Sequence, residues 1–162
     1  MAYQRSNRGS SEGVRLGNKI FAEGTFKIVY TGTYTNGPRK GEAYVWKQFK
    51  AGRVFEDYYF DEELAIVECA QRIIDDFQAA RIIDRVILLN TPEVWEQLPD
   101  GSLGLVEPMI ENFEKFNSNT GWAPKSGNLW GQAMQALSHF SYHNSRGTVL
   151  LCDLQGGVYM DG

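Results

Sequence analysis

The chain is poor in the residues that bind soft metals. It has only two cysteines, Cys69 and Cys152, and two histidines, His139 and His143. No CxxC or CxxH cluster and no HExxH occurs, so a zinc site of the usual spacings is not expected within these residues. His139 and His143 straddle a helix end without a third ligand pattern and read as structural. Each cysteine sits in an apolar run, as buried free thiols of a reducing compartment do. No stretch of about 18 apolar residues is present, which leaves no membrane span. The polar first residues lack the apolar core of a signal peptide. Lys and Arg number 16 against 20 Asp and Glu, without a basic stripe, which argues against a nucleic-acid surface. The expectation is a cytoplasmic protein with neither nucleic-acid nor membrane partners. A Walker loop, a full GxGxxG, an internal repeat and a low-complexity core segment are also missing.

What is abundant is aromatic: four Trp, eight Tyr and nine Phe in 162 residues. That suffices for one domain with a sizeable core. Residues 1–18, rich in Ser, Gly, Asn and Arg, read as a disordered tail. Lys27–Thr35 and Glu42–Phe49 are β-branched and aromatic. They are separated by Asn36-Gly37-Pro38, which predicts an antiparallel pair. From Asp57 to about Ala80, apolar residues recur at three- and four-residue steps (Phe60, Leu64, Val67, Ala70, Ile74, Phe77), the period of a helix. Arg85–Leu89 reads as an apolar strand. Asp100-Gly101 joins Val94–Leu98 to Ser102–Val106 in a hairpin, and Pro108 interrupts the ladder. Leu129–Ser141 reads as a second helix with Leu129, Ala133, Ala136, Leu137 and Phe140 on one face. Val149–Cys152 reads as a buried final strand. The order of strands, helix, strands, helix, strand fits α+β better than alternating βαβ.

Three places can carry chemistry. Lys47 shares a strand face with Val45 and Phe49, so its ammonium either snorkels at a sheet edge or meets an anion. Glu23-Gly24-Thr25 is a lone glycine turn with Lys27 just beyond it. At the end of the last apolar run, Asp153 and Gln155 precede Gly156-Gly157. In an extended segment their side chains point the same way, while Leu154 points back. A carboxylate beside an amide oxygen suits a hard cation such as Mg²⁺ or a reacting hydroxyl; it is equally the polar end of a strand.

The segment Ser138-His139-Phe140-Ser141-Tyr142, followed by Asp153-Leu154-Gln155-Gly156, resembles the "SHFxY" and "DLQG" blocks of the alpha-kinase family. These are the atypical protein kinases that include elongation factor 2 kinase, myosin heavy chain kinases and the channel-kinases. Val106-Glu107-Pro108 and Phe113-Glu114-Lys115-Phe116-Asn117-Ser118-Asn119-Thr120-Gly121 resemble a second block, "vEp" with "KyNxNxG". Phe21–Lys27 and Tyr44–Phe49 resemble, more weakly, its glycine turn and strand lysine. The blocks fall in family order.

The resemblance implies a two-lobed protein-kinase-like fold. Residues 19–107 would be a nucleotide-binding lobe of antiparallel sheet and long helix, and 108–162 a partial C-lobe. It implies ATP and Mg²⁺ as cofactors, a protein substrate, and transfer to Ser/Thr hydroxyls. By the same resemblance, Gly24, Lys27 and Lys47 meet the nucleotide phosphates. Glu63 steadies Lys47, with Glu62 as the alternative. Glu107 and the backbone amide of Met109 or a later residue receive adenine, since Pro108 has no N–H to give. Lys115 and Asn119 lie near the phosphates and metal, Asp153 acts as catalytic acid/base with Lys47, and Gln155 helps to hold Mg²⁺. Lys27 stands where the family often has Arg, keeping the charge without the bidentate fork. The family goes on to a "T-D-P" aspartate and a zinc module. Asp161-Gly162 resembles a turn before that aspartate, so the resemblance implies C-terminal truncation with the zinc module missing. A non-catalytic nucleotide-binding or scaffold domain is the alternative function, and an unrelated α+β binding domain the third.

Overall fold

In the computed structural model, residues 12–15, 19–50, 56–97, 101–125 and 128–160 are described. The elements run β1 (Gly13–Arg15), β2 (Ala22–Glu23), β3 (Lys27–Tyr34), β4 (Ala43–Phe49), α1 (Glu56–Ala79), β5 (Glu93–Gln97), β6 (Ser102–Pro108), β7 (Glu114–Lys115), α2 (Leu129–Asn144) and β8 (Gln155–Gly156). The chain divides into two compact units. One contains the residues up to Glu68 and Leu88–Met109; the other contains Cys69–Ile87 and the residues from Ile110 onward.

The first unit is built on an antiparallel sheet ordered β1-β3-β4-β6-β5, with β2 also pairing β3. The predicted β3–β4 pair forms with Lys27 opposite Phe49 and Thr33 opposite Ala43. β6 lies on the far side of β4 and hairpins with β5, turning at Gly101, whose φ is 69°. Pro108 still faces Tyr44 in the ladder as the last residue of β6, the strand-end place that tolerates a missing N–H. The tail reading gives way at Gly13–Arg15, which pairs with β3 as β1; residues 1–11 and 16–18 lie outside the described residues, as do Leu98 and Asp100 of the predicted hairpin.

Side-chain alternation splits this sheet into two faces. Tyr34, Tyr44, Trp46 and Val106 are buried on one, with Tyr30 and Trp95 packed against them. Tyr34, Tyr44 and Trp95 meet edge to face at 5.2–5.9 Å between ring centres. Close approach is possible because Gly32 and Gly104 carry no side chain: a Cβ at Gly32 would overlap the Tyr44 ring, and one at Gly104 the Trp46 indole. The other face carries Phe49 and Leu105, packed with Phe60 at the start of α1. Lys27 and Lys47 lie on this second face, as their register with Phe49 and Leu105 requires.

In the second unit the C-terminal half of α1 buries Ile73, Ile74 and Phe77. Phe77 meets Phe140 of α2 at 5.3 Å. Helix α1 ends where Arg81 takes a left-handed φ of 52° and donates its N–H to Gln78 O. Helix α2 starts at Asn128, whose side chain accepts from the Trp130 and Gly131 amides. Ala133 and Leu137 are buried as predicted, but Leu129 is 62% exposed at the first turn.

Two predicted strands do not form. Residues 85–89 are irregular, and Ile87 N–H bonds the Gln78 side chain of α1. Residues 149–152 are also irregular: Val149 N–H bonds Ser145 Oγ and Leu151 N–H bonds Ser141 Oγ. In both runs helix side chains have taken amides that a ladder would need. Cys152, at the end of the second run, is exposed, and Cys69 of α1 is half-buried, so both are free thiols but neither is fully buried as expected. His139 and His143 are exposed. Among the described residues, no helix is long and apolar enough to cross a membrane.

Candidate active site

Two groups of candidate residues form, one in each unit. In the first, β3 and β4 place Lys27 and Lys47 on the sheet face that also carries Phe49. Lys47 is ion-paired to Glu107 of β6, and Lys27 to Glu63 of α1. The expected Lys47–Glu63 pair is therefore corrected. Register decides it, because Glu107 sits opposite Val45 on the same face as Lys47. Lys27 instead occupies Glu63 and lies 5.2 Å from the centre of the Phe49 ring. Glu62 is engaged elsewhere: it accepts the Tyr58 hydroxyl, which holds that phenol above its ordinary pKa.

Both lysines are partly buried, at 24% and 32% side-chain exposure for Lys27 and Lys47. Such cations need an anion, and here each has one. Gly24 starts the β2–β3 turn, its N–H bonding Lys27 O at 2.9 Å. A Cβ there would meet nothing nearer than 3.9 Å, so the protein itself does not demand glycine at that point. Sequence reasoning missed the Lys50–Glu23 ion pair at 2.6 Å, which fastens the same turn. Met109 N–H donates to Ala43 O at 3.0 Å. The Met109 amide is thus already committed to the sheet edge, which corrects the choice of Met109 and leaves a later amide for adenine.

In the second unit, β7 and β8 pair so that Lys115 stands opposite Gln155. Just before β8, Asp153 adopts a left-handed φ of 55°. It is not part of an extended run, so the simple alternation of Asp153 and Gln155 does not hold. The Asp153 carboxylate meets Lys115 Nζ at 3.4 Å and accepts the Asn119 N–H at 3.2 Å. Asp153, Gln155, Asn119 and Lys115 are all exposed. The fold thus brings three of the candidate residues into contact, as a carboxylate, an ammonium and a backbone donor, with Gln155 opposite Lys115 in the β7–β8 ladder. Such a cluster can orient a hydroxyl, accept its proton and offset phosphate charge.

Beneath it lies a layer that sequence reasoning passed over. Asn117, 5% exposed, accepts Leu154 N–H on Oδ1 and donates from Nδ2 to Ser138 Oγ, both at 2.9 Å. Ser141, fully buried, holds Leu151 N–H. The signal was available, since Asn117, Ser138 and Ser141 all lie inside the quoted blocks. Asp161 lies outside the described residues.

The Alpha-kinase family model matches residues 22–161. The chain belongs to the alpha-kinase family. No curated protein matches it. Among solved structures, the alpha-kinase domain of myosin-II heavy chain kinase A in complex with AMP-PNP is similar, with a TM-score of 0.73 and 19% identity. The match covers 91% of this chain and 71% of that one. The same kinase domain with ADP gives a TM-score of 0.71 at 21% identity, with the same coverage. Its apoenzyme gives a TM-score of 0.66 at 20% identity, covering 93% of this chain and 73% of that one. The α+β alpha-kinase fold is thereby established, in a family of protein kinases, and the match spans 71% of the length of that kinase domain.

Proposed function

We propose that this alpha-kinase chain is an ATP-dependent protein serine/threonine kinase domain in which Asp153 receives the proton of the acceptor hydroxyl. The observation that carries the reading is the Asp153 carboxylate held by Lys115 and the Asn119 N–H, one residue short of the β8 strand that bears Gln155. The acceptor oxygen attacks the γ-phosphorus, the bond to the β-phosphate's bridging oxygen breaks, ADP leaves, and the hydroxyl proton passes to Asp153. Lys27, Lys47 and Lys115 offset phosphate charge, Gly24 lets the β2–β3 turn approach the nucleotide, and Glu63 and Glu107 keep two of those lysines in place. Lys27 contributes as a point charge. Met109 contributes no amide to the base.

Among the described residues no group of three His, Cys, Asp or Glu could hold a metal. The donors Gln155, Asn119 and Asp153 nevertheless fit Mg²⁺ in kind, being hard oxygens few enough to leave positions for phosphates and water. When bound, Mg²⁺ neutralises developing charge on the phosphates. The chemistry requires a protein substrate and ATP and is consistent with a cytoplasmic setting. The small donor set favours one second reading, a nucleotide-binding domain without transfer activity.

The test is transfer of labelled γ-phosphate to a basic Ser/Thr protein, with nucleotide binding measured alongside. Asp153→Ala is expected to lose about 100-fold or more in kcat while still binding the nucleotide. Binding without transfer in the unmodified chain would select the second reading. Absence of both would reject the two together.

A further inference from the structure

Asp153 is a non-glycine residue in a left-handed backbone conformation, which persists only where its surroundings impose it. The imposing contacts lie on both sides of it. Ahead of it, Leu151 N–H bonds Ser141 Oγ at 2.8 Å, and Ser141 in turn donates to Ser138 O at 2.6 Å. Behind it, both polar backbone groups of Leu154 are taken. Its N–H goes to Asn117 Oδ1 at 2.9 Å; its carbonyl accepts from Phe116 N–H at 2.8 Å and Asn117 N–H at 3.3 Å.

Asn117 is the piece that joins these contacts. Its Nδ2 donates to Ser138 Oγ at 2.9 Å and faces Gln135 Oε1 at 3.5 Å, while Gln135 holds Phe116 O at 2.9 Å. One buried amide therefore ties the residue after Asp153 to the same helix, α2, that ties down Leu151. A short apolar side chain at 117 would leave Leu154 N–H without its acceptor and would free the turn to relax toward negative φ.

We propose that Asn117 is a positioning residue for phosphoryl transfer: by clamping Leu154 to α2 it keeps Asp153 in its left-handed conformation, carboxylate toward Lys115 and the Asn119 N–H. This rests on the reading of Asp153 given under Proposed function. Asn117 touches neither substrate nor nucleotide in this role.

The experiment compares Asn117→Ala, Asn117→Asp and Ser138→Ala with the unmodified chain in kcat, KM for ATP and amide hydrogen exchange. In Asn117→Asp one carboxylate oxygen still accepts Leu154 N–H, and the other accepts the Ser138 hydroxyl. Asn117→Ala is expected to lower kcat about 10- to 100-fold with KM for ATP close to the original. Leu154 N–H should exchange faster while Leu137, in the middle of α2, keeps its protection. Asn117→Asp should recover most of kcat. Unchanged kcat or an unchanged Leu154 exchange rate in Asn117→Ala would overturn the proposal, as would a failure of Asn117→Asp to exceed Asn117→Ala. If Asn117→Ala does not fold, Ser138→Ala removes only the anchor of Asn117, and the same two readouts decide. If the unmodified chain transfers no phosphate, the reading of Asp153 fails by itself, and Leu154 exchange still settles whether Asn117 holds the turn.

Discussion

At the scale of single residues, charge in this protein is distributed by register. Lys47 was legible as a lysine on an apolar face, but its partner was not. A helix acid and a strand acid are equally plausible from sequence, and only the β4–β6 pairing brings Glu107 beside it. Charge-assisted contacts to phosphate contribute about 1.5–3 kcal/mol each. Lys47→Ala is therefore expected to weaken nucleotide binding roughly 10-fold or more, measured by calorimetry. Glu63→Gln should leave the Lys47 contribution intact, whereas Glu107→Gln should change it; the opposite pattern would sink the assignment. Tyr34 offers a check on the core. It is 1% exposed, and burial pushes its phenol well above the ordinary value. The folded state thus keeps the proton that the unfolded chain releases near pH 10. Stability from this group is complete below that pH and declines as pH rises above it. Tyr34→Phe should flatten the alkaline fall in urea-melt stability.

Elements were read with uneven success, and the reason is physical. β3, β4, the β5–β6 hairpin, α1 and α2 carry their own periodicity and turn residues, so local sequence is enough. The apolar runs at 85–89 and 149–152 carry the composition of strands. A strand, however, needs a neighbouring edge, and the amides of these runs were taken by Gln78, Ser141 and Ser145 instead. The helix start at Asn128 is the reverse case, a short-range cap. Asn128→Ala is expected to cost about 1 kcal/mol, seen as a lower melting temperature. The sheet has a less visible requirement at Gly32 and Gly104, where rings from β4 occupy the space of a side chain. Ala at either position should destabilise the fold by about 1–3 kcal/mol through overpacking, read from denaturant midpoints.

For the molecule as a whole, helix α1 serves both compact units: residues up to Glu68 belong with the sheet, and those from Cys69 with α2. The long apolar stripe predicted from Phe60 to Phe77 is thus a single element with two sets of packing partners, Phe49 with Phe60 and Phe140 with Phe77. If the chain binds nucleotide as proposed, a non-hydrolysable ATP analogue at 100 times its dissociation constant should add about 2.7 kcal/mol of stability. A melting temperature unmoved by the analogue and Mg²⁺ would count against both functional readings. The sequence by itself determined the α+β class, the two helices, the β3–β4 pair and the motif blocks that mark the alpha-kinase family, because these rest on local periodicity and on residue identity. The tertiary structure alone decided that Lys47 meets Glu107, that Met109 spends its amide on Ala43, and that Asp153 stands in a left-handed turn clamped through Asn117. Each of those depends on which backbone groups and charges become neighbours after distant segments pair, and spacing along the chain does not encode that.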